Sequence, residues 1–260
     1  MLYKLGKYTT RFWNIIHIYL EILLNICGFK SKTGSLTNIL NEQNIDVACV
    51  SETHCEGDSI PEIKGYVSYH RNRQNQRAKG GIAMLFKKEL SQWVVKLESG
   101  MDENEFFACK ISCFEPEVVL VLHYGVIENR YSTNEVMTMQ TEVFNIIKNY
   151  CEEGLDVFYT GDLNVHLGSA GKLRGNNPAE SAGGRNLHKF IELENLHLSN
   201  WDNTSHTHLD RSGGKSNILD VMISNAKDKI SKFEVDTNLE FTPYRVRQTK
   251  KGLQKKFSTI

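Results

Sequence analysis

The segment Val157-Phe158-Tyr159-Thr160-Gly161-Asp162-Leu163-Asn164-Val165-His166 joins a short apolar run to a Gly-Asp-x-Asn motif. The run is too short for a helix and is rich in residues that favour β-structure, so it predicts a buried strand. Side chains two positions apart on a strand share a face, so Asp162 and Asn164 are predicted to reach one ion, water or phosphate oxygen together. Taken alone, the motif is more often a plain Asx turn, because Asp and Asn are common turn residues.

The composition of the chain is that of a soluble globular protein, with 260 residues of which 40% are hydrophobic and 24% charged. Lys+Arg and Asp+Glu number 31 each, so net charge gives no indication of a nucleic-acid partner. The six cysteines form no Cys-x-x-Cys pair, which favours a reduced, intracellular protein.

An apolar segment near the start, residues 13–29, raises the question of a membrane anchor. His17 and Glu21 interrupt it, and no small-residue cleavage site follows, so we predict no membrane association. We interpret residues 1–19 as an N-terminal extension, and residues 20–260 as one domain without internal repeats.

Polar residues follow several predicted strands of this domain. Strands over residues 20–26 and 45–50 are separated by a short helix, and they end next to Asn25 and Glu52. The second of two later strands, residues 118–123, leads into Tyr124, and the Ser132 to Glu135 capping box then opens a long helix. Asp220 lies inside an apolar strand, where a carboxylate is costly unless it is paired or functional. Each of these residues, taken singly, is also compatible with a surface turn.

Two basic segments are the candidates for contact with nucleic acid. Phosphate contacts from arginine and lysine position a protein on DNA without reading its sequence, whereas the alternative is a solvated loop. The candidate residues are Arg71, Arg73, Arg77 and Lys79 in the first segment and Arg245, Arg247, Lys250 and Lys251 in the second.

The order and spacing of these motifs resemble the endonuclease/exonuclease/phosphatase superfamily, and in particular the apurinic-type endonuclease domain of non-LTR retrotransposons and their domesticated relatives. The matching segments are residues 24–29, 46–53, 80–83, 124–125, 161–166 and 218–220. The resemblance implies an α/β fold of the DNase-I-like type, a four-layer α-β-β-α sandwich of two mixed sheets with the site at one rim. The closing strand of that fold has no clear counterpart here.

The resemblance also implies an activity, which is Mg²⁺- (or Mn²⁺-) dependent cleavage of phosphodiesters in DNA, with no organic cofactor. Hard divalent cations prefer oxygen ligands. By resemblance, Glu52 is the main metal ligand and Asn25 assists it. The sequence leaves the oligomeric state open, and a DNA-cleaving protein is expected inside the cell, in the nucleus.

The catalytic roles follow from the same resemblance. Asp162 and Asn164 would orient or deprotonate the attacking water, and Tyr124 would donate a hydrogen bond to phosphate or to the nucleophile. Asp220 corresponds to an acid that supports the site from the last part of the sheet.

One expected motif is absent from the chain. Domains of this kind close with Ser-Asp-His and a final strand, and neither residues 242–244 nor residues 258–260 supply the Asp-His pair. Losing one member of a coupled acid–base site commonly costs roughly 10³-fold or more in rate. We therefore expect an impaired endonuclease domain that is incomplete at its C-terminus. The alternative is a non-catalytic nucleic-acid- or protein-binding remnant; a phosphatase or lipid phosphodiesterase is disfavoured by the basic loop.

Overall fold

The computed structural model of the protein describes residues 2–5, 21–72, 80–100, 104–168, 180–199, 208–209, 216–217 and 219–234. Within these ranges the chain forms two six-stranded sheets, a separate two-stranded pair, and helices packed on both sheets. Among the described residues, no helix has the length and apolar character needed to cross a bilayer.

The first sheet is mixed. Its strands are β1 (Leu2–Leu5), β2 (Glu21–Asn25), β3 (Val47–Ser51), β4 (Tyr66–Arg71), β5 (Ile82–Lys87) and β14 (Ile230–Glu234). They lie in the order β14-β1-β2-β3-β5-β4, and only β2 and β3 run parallel to each other. Helix α1 (Thr33–Glu42) makes the crossover between these parallel strands, as parallel pairing requires.

The second sheet is also mixed. Its strands are β6 (Val94–Ser99), β7 (Glu105–Ile111), β8 (Val118–Tyr124), β9 (Asp156–Asp162), β10 (His197–Leu198) and β13 (Asp220–Ser224). They lie in the order β10-β13-β9-β8-β7-β6, with β8 and β9 parallel and joined through helix α3 (Thr133–Glu152). The remaining elements are helices α2 (Lys88–Ser91) and α4 (Ala182–Leu193) and the strand pair β11 (His208–Leu209) and β12 (Ser216–Asn217).

Three apolar layers hold the sandwich together. The inner layer lies between the sheets, where Cys49 and Phe86 of the first sheet pack with Leu120 and Phe158 of the second. A second layer packs α1 on the outer face of the first sheet, and a third packs α3 and α4 on the outer face of the second. These three layers separate four layers of secondary structure, so the predicted α-β-β-α sandwich is confirmed.

Helix α3 begins where the sequence predicts it. The Ser132 side chain accepts from the Glu135 N–H, and the Glu135 carboxylate accepts from the Ser132 N–H, which completes the capping box. Helix α1 begins at Thr33 without a side-chain cap, so Ser35, a favourable residue for an N-cap, lies inside the first turn.

The chain termini take an arrangement that the sequence pattern does not predict. Leu2–Leu5, part of the predicted N-terminal extension, forms a strand between β2 and β14 and is antiparallel to both. The predicted domain boundary near residue 20 lies outside the described residues, as do residues 235–260, where the closing strand would be sought. The domain boundaries therefore stay predictions.

Gly161 allows β8 and β9 to approach closely just before Asp162. Its φ is +149°, and a Cβ built there would lie 1.8 Å from the His123 carbonyl oxygen. Gly154, in the turn after α3, also has a positive φ of +79°, but a Cβ there would meet nothing within 4 Å. Substitutions at these two glycines therefore distinguish the cost of backbone strain from the cost of a steric clash.

We expect Gly161→Ala to lower the free energy of unfolding by about 3 kcal/mol or more, because strain and overpacking add. Gly154→Ala should cost only about 1 kcal/mol, from backbone strain alone. Urea denaturation followed by circular dichroism measures both. Equal costs for the two variants would show that the close approach of β8 and β9 does not restrict residue 161.

Candidate active site at the rim of the two sheets

A row of polar residues crosses one edge of the first sheet. Asn25, the last residue of β2, is the register partner of Ser51 on β3, and Ser51 is the partner of Ile82 on β5. Ile82 in turn faces Arg71 on β4. The strand ends that carry Asn25, Glu52 and Arg71 therefore lie along one edge.

A second row crosses the corresponding edge of the other sheet. Asp220 on β13 is the register partner of Asp162 on β9, and Glu105 on β7 is the partner of Tyr124 on β8. Strands β8 and β9 run parallel, and the Gly125 N–H donates to the Asp162 carbonyl at 2.8 Å, so Tyr124 lies beside Asp162. This row therefore runs Asp220, Asp162, Tyr124, Glu105.

Side-chain hydrogen bonds join the two rows. The Asn25 Nδ2 group donates to Asp162 Oδ2 at 3.0 Å, and the Tyr124 hydroxyl donates to Glu52 Oε1 at 2.9 Å. A third connection runs from the Gly81 N–H to the Glu105 carboxylate, which is buried. Residues up to 137 positions apart in the chain thus form one polar cluster at the rim.

The loops that carry Glu52 are fixed by backbone hydrogen bonds. The Gly28 N–H donates to the Glu52 carbonyl at 2.8 Å, and the Thr53 N–H donates to the Gly81 carbonyl at 3.0 Å. Glu52 itself has a φ of +53°, and Cys27, His54 and Asn164 also have positive φ. Non-glycine residues seldom adopt this conformation, and such strain concentrates at functional sites.

Asn164 reaches the site in a different way from the prediction. Strand β9 ends at Asp162, so strand alternation does not place Asn164, whose φ is +51°. Its backbone N–H instead donates to Asp162 Oδ1 at 3.2 Å, and its side chain donates to the Gly125 carbonyl at 2.8 Å. The Asx turn at Asp162 and the polar site around it are therefore not alternatives, because both are present.

The position of Asp220 also differs from the prediction. It is the first residue of β13 rather than a carboxylate in the middle of a strand, and it is partly exposed. It is nevertheless the register partner of Asp162, so the structure brings it to the predicted site.

The Tyr124 phenol is kept protonated by its surroundings. Burial raises its pKa most, followed by the neighbouring carboxylates of Glu52 and Asp162 and the hydrogen bond to Glu52; a hydrogen bond with Asn164 acts in the opposite direction. A protonated phenol in this position is a hydrogen-bond donor, as the predicted role of Tyr124 requires.

Several residues of the rim were not predicted. Glu105 was missed although it directly precedes the apolar residues of β7, a position like that of the other acids at strand ends. Cys27 and His54 lie close to Glu52, with ligand atoms that are all within 4.8 Å of one another. No periodicity in the sequence signals that arrangement.

The predicted nucleic-acid contacts are only partly described. Arg71 is partly exposed at the end of β4, on the same edge as Asn25. The other candidates lie outside the described residues: Arg73, Arg77, Lys79, Arg245, Arg247, Lys250 and Lys251.

The donor set of the rim fits a hard divalent cation. Asn25 is exposed, and it bonds Asp162 through its Nδ2 group, so its amide oxygen is not used in that bond. One oxygen of Glu52 binds Tyr124, and the other lies 3.6 Å from His54 Nε2, too far for a hydrogen bond. A carboxylate oxygen and an amide oxygen are thus available at one place, as Mg²⁺ or Mn²⁺ prefers.

The two-sheet sandwich and its polar rim define the class of nuclease-type phosphodiesterases. The model of the Endonuclease/Exonuclease/phosphatase family matches residues 22–215, and the chain belongs to this family.

One relative among characterised proteins comes from a mobile element. The chain is 37% identical over 76 residues to a probable RNA-directed DNA polymerase from transposon X-element of Drosophila melanogaster. The match spans 28% of this chain and 8% of that protein. This supports the predicted link to retrotransposons.

Solved structures share the fold. An AP endonuclease from Archaeoglobus fulgidus superposes with a TM-score of 0.58 at 16% identity, over 78% of this chain and 85% of that chain. A 3′ phosphatase from Neisseria bound to a product DNA hairpin gives 0.60 at 14% identity, over 78% and 85%. The endonuclease domain of TRAS1, a telomere-specific non-LTR retrotransposon, gives 0.53 at 14% identity, over 78% and 82%. The predicted DNase-I-like fold is confirmed.

His123 anchors the strand that carries Tyr124. Its Nδ1 lies 2.7 Å from the Tyr159 hydroxyl and its Nε2 lies 3.1 Å from Asn104 Oδ1. The ring is buried, and burial lowers the pKa of His123 to about 3. The unfolded chain therefore binds a proton that the native state excludes between about pH 3 and about pH 6.5.

We expect the stability contributed by neutral His123 to be fully present above about pH 6.5 and to decline as pH falls toward about 3. Between about pH 6.5 and about pH 4 this loss is about 3 kcal/mol. Urea denaturation across this range measures it. His123→Gln should lower the free energy of unfolding at neutral pH and should make it less dependent on pH. His188→Gln on α4 should keep the pH dependence of the wild type. The same slope in both variants would contradict the assignment.

Proposed function

We propose that this chain is a divalent-metal-dependent phosphodiesterase of the endonuclease type that acts on DNA. The observation that carries the proposal is the joining of the two sheet edges by the Asn25–Asp162 and Tyr124–Glu52 hydrogen bonds. These bonds gather amide, phenol and carboxylate groups from four strand ends at one rim, in a chain that belongs to the Endonuclease/Exonuclease/phosphatase family.

Two residues are proposed to hold the metal ion. Glu52 would bind through the oxygen that faces away from Tyr124, and Asn25 through its amide oxygen. When bound, Mg²⁺ or Mn²⁺ supplies Lewis-acid polarisation of the phosphoryl oxygen and stabilises the leaving oxygen.

Asp162 is proposed as the residue that orients and deprotonates the attacking water. Its carboxylate accepts from the Asn25 side chain and from the Asn164 N–H, which fixes its orientation. Tyr124 remains protonated and would donate to a phosphate oxygen, while the Asn164 amide lies beside it. Asp220, the register partner of Asp162, would support that carboxylate from β13.

DNA is proposed as the substrate on three grounds. The Neisseria structure is of a protein bound to a DNA hairpin, and the relative in the X-element is a polymerase of a transposon. Arg71 lies on the edge that carries Asn25, where a phosphate backbone could be contacted. A location in the nucleus follows from this proposal, and imaging of a tagged chain would test it.

We further propose that cleavage is slow, because the 260 residues contain no Asp-His pair. A missing member of a coupled acid–base site commonly costs roughly 10³-fold or more. The same absence favours the second candidate function, a nucleic-acid- or protein-binding remnant that keeps the rim without turnover.

Nicking of supercoiled plasmid DNA with Mg²⁺ tests the proposal. We expect slow conversion to relaxed circles by the wild type, because the proposed metal ligands and the water-orienting acid are present. Glu52→Ala and Asp162→Asn should each lower the rate by at least roughly 100-fold, through loss of the ion or of the proton acceptor.

Glu117→Ala is the matched control for Glu52→Ala. The Glu117 side chain is 21% exposed against 24% for Glu52, but Glu117 pairs with Lys110 away from the rim. It should nick DNA at the wild-type rate. If the folded wild type binds DNA in a salt-dependent manner without nicking it, the binding remnant is favoured. If Glu52→Ala nicks DNA as fast as the wild type, the proposed metal site has no part in cleavage.

Metal binding has its own readout. Mg²⁺ at about ten times its Kd should stabilise the native state by about 1.4 kcal/mol and raise Tm by about 2–5 °C. Differential scanning fluorimetry with and without Mg²⁺ measures the shift. Glu117→Ala should keep the shift and Glu52→Ala should lose it; an equal shift in both would count against Glu52 as a ligand.

A further inference from the structure

We infer that Cys27, Glu52 and His54 form a second cation site, selective for a thiophilic ion such as Zn²⁺, and that its occupancy inhibits DNA cleavage. The inhibition, but not the zinc binding, rests on the proposed function. The two metals would compete for the Glu52 carboxylate.

The geometry of the three side chains carries the inference. The Cys27 sulfur, a Glu52 carboxylate oxygen and a His54 ring nitrogen all lie within 4.8 Å of one another. His54 Nε2 is buried, makes no hydrogen bond among the described residues, and lies 3.6 Å from Glu52 Oε2. A buried nitrogen without a hydrogen bond beside a carboxylate is costly unless something binds between them.

The separations match those that zinc imposes on its ligands. With Zn–N and Zn–O bonds of about 2.1 Å in a tetrahedron, ligand atoms lie about 3.4 Å apart. The 3.6 Å between His54 Nε2 and Glu52 Oε2 is close to this value. Since no other separation exceeds 4.8 Å, closure around an ion needs side-chain shifts of only roughly 1 Å.

Backbone hydrogen bonds already hold the ligands side by side. The Gly28 N–H, next to Cys27, donates to the Glu52 carbonyl at 2.8 Å, and the His54 N–H donates to the Gly80 carbonyl at 2.9 Å. A Cβ on Gly28 would lie 3.9 Å from His54 Nδ1, so the imidazole packs over this glycine. The loop carrying Cys27 and the loop carrying His54 therefore do not need to be ordered by the metal.

The ligand types determine which ion is preferred. Thiolate and imidazole suit Zn²⁺, whereas Mg²⁺ requires oxygen ligands. Three protein ligands leave a fourth position for water, and the Cys27 thiol releases one proton to the solvent as it binds. Cys27 is exposed, so the ion has a path to the site.

The two oxygens of Glu52 connect this site to cleavage. Oε1 accepts from Tyr124, and Oε2 faces His54. A Zn²⁺ ion between Glu52, Cys27 and His54 would take the oxygen that the proposed Mg²⁺ site requires. Zinc would then exclude the activating metal from Glu52 without taking over its role in cleavage.

Direct binding is the first test, with Zn²⁺ measured by isothermal titration and Co²⁺ as an absorbing probe on the full chain. We expect the wild type to give a cobalt–thiolate charge-transfer band. Cys27→Ser should abolish the band and weaken Zn²⁺ binding at this site by at least roughly 100-fold, since even groups outside the ligand shell are worth 10–100-fold. His54→Gln should weaken Zn²⁺ binding while retaining the thiol.

The matched controls are Cys151→Ser and His188→Gln, which replace a partly exposed cysteine on α3 and a partly exposed histidine on α4. Both should bind both metals as the wild type does. Absence of the thiolate band in the wild type, or its retention in Cys27→Ser, overturns the site; circular dichroism confirms that the variants are folded.

Inhibition is tested separately, by nicking with Mg²⁺ and added Zn²⁺. At about ten times its Kd, Zn²⁺ should lower the wild-type rate roughly tenfold, and His54→Gln should require far more Zn²⁺ for the same effect. Zinc binding with no change in the nicking rate would overturn the inhibitory role, whereas wild-type nicking that depends on Glu52 without any zinc binding would overturn the second site and leave the proposed function intact.

Discussion

The rim depends on the hydrogen bonds that cross from one sheet to the other. Asn25 reaches Asp162 and Tyr124 reaches Glu52 across the open end of the inner apolar layer. Asp162 is only 6% exposed, so removing the Asn25 amide would take away one of the donors that stabilise a poorly hydrated carboxylate, at a cost of about 1–3 kcal/mol. Apolar packing is non-directional, so it fixes the position of one sheet along the other only weakly. The hydrogen bonds are directional, and they require that the ends of β2 and β9 lie next to each other.

Close backbone packing also fixes the position of Asp162. Gly161 brings β9 against β8, and Gly125 would place a Cβ 2.0 Å from the Leu163 carbonyl oxygen. The chain around Asp162 therefore has little freedom to move. The strained φ values of Glu52 and Asn164 are sustained by these neighbours, which is the condition under which such strain persists.

The fold was predictable from sequence because its signals are local. Apolar runs of strand length alternate with helical periodicity, and a capping box marks the start of α3. Asn25, Glu52, Tyr124, Asp162 and Asp220 lie in or next to apolar runs, and their roles were proposed from the resemblance to a known family, because each run alone also fits a surface turn. Asn164 was assigned for the wrong reason, since β9 ends at Asp162, two residues before Asn164, and strand alternation does not extend to it. The hydrogen bond that links Glu105 to Gly81 and the pairing of β1 with β14 are contacts between distant segments, which no local pattern records.

The same reasoning explains why Cys27 and His54 acquire meaning only in three dimensions. A lone cysteine after one strand and a histidine after another predict nothing, because such residues are usually structural or solvated. The parallel pairing of β2 and β3 brings the two loops together, and their backbone bonds turn both side chains toward Glu52. One oxygen of Glu52 then accepts from the Tyr124 phenol, and the carboxylate also lies beside a thiol and an imidazole. Glu52 therefore adjoins oxygen ligands that suit Mg²⁺ and sulfur and nitrogen ligands that suit Zn²⁺. Activity would then depend on which ion is bound, and not only on whether an ion is bound.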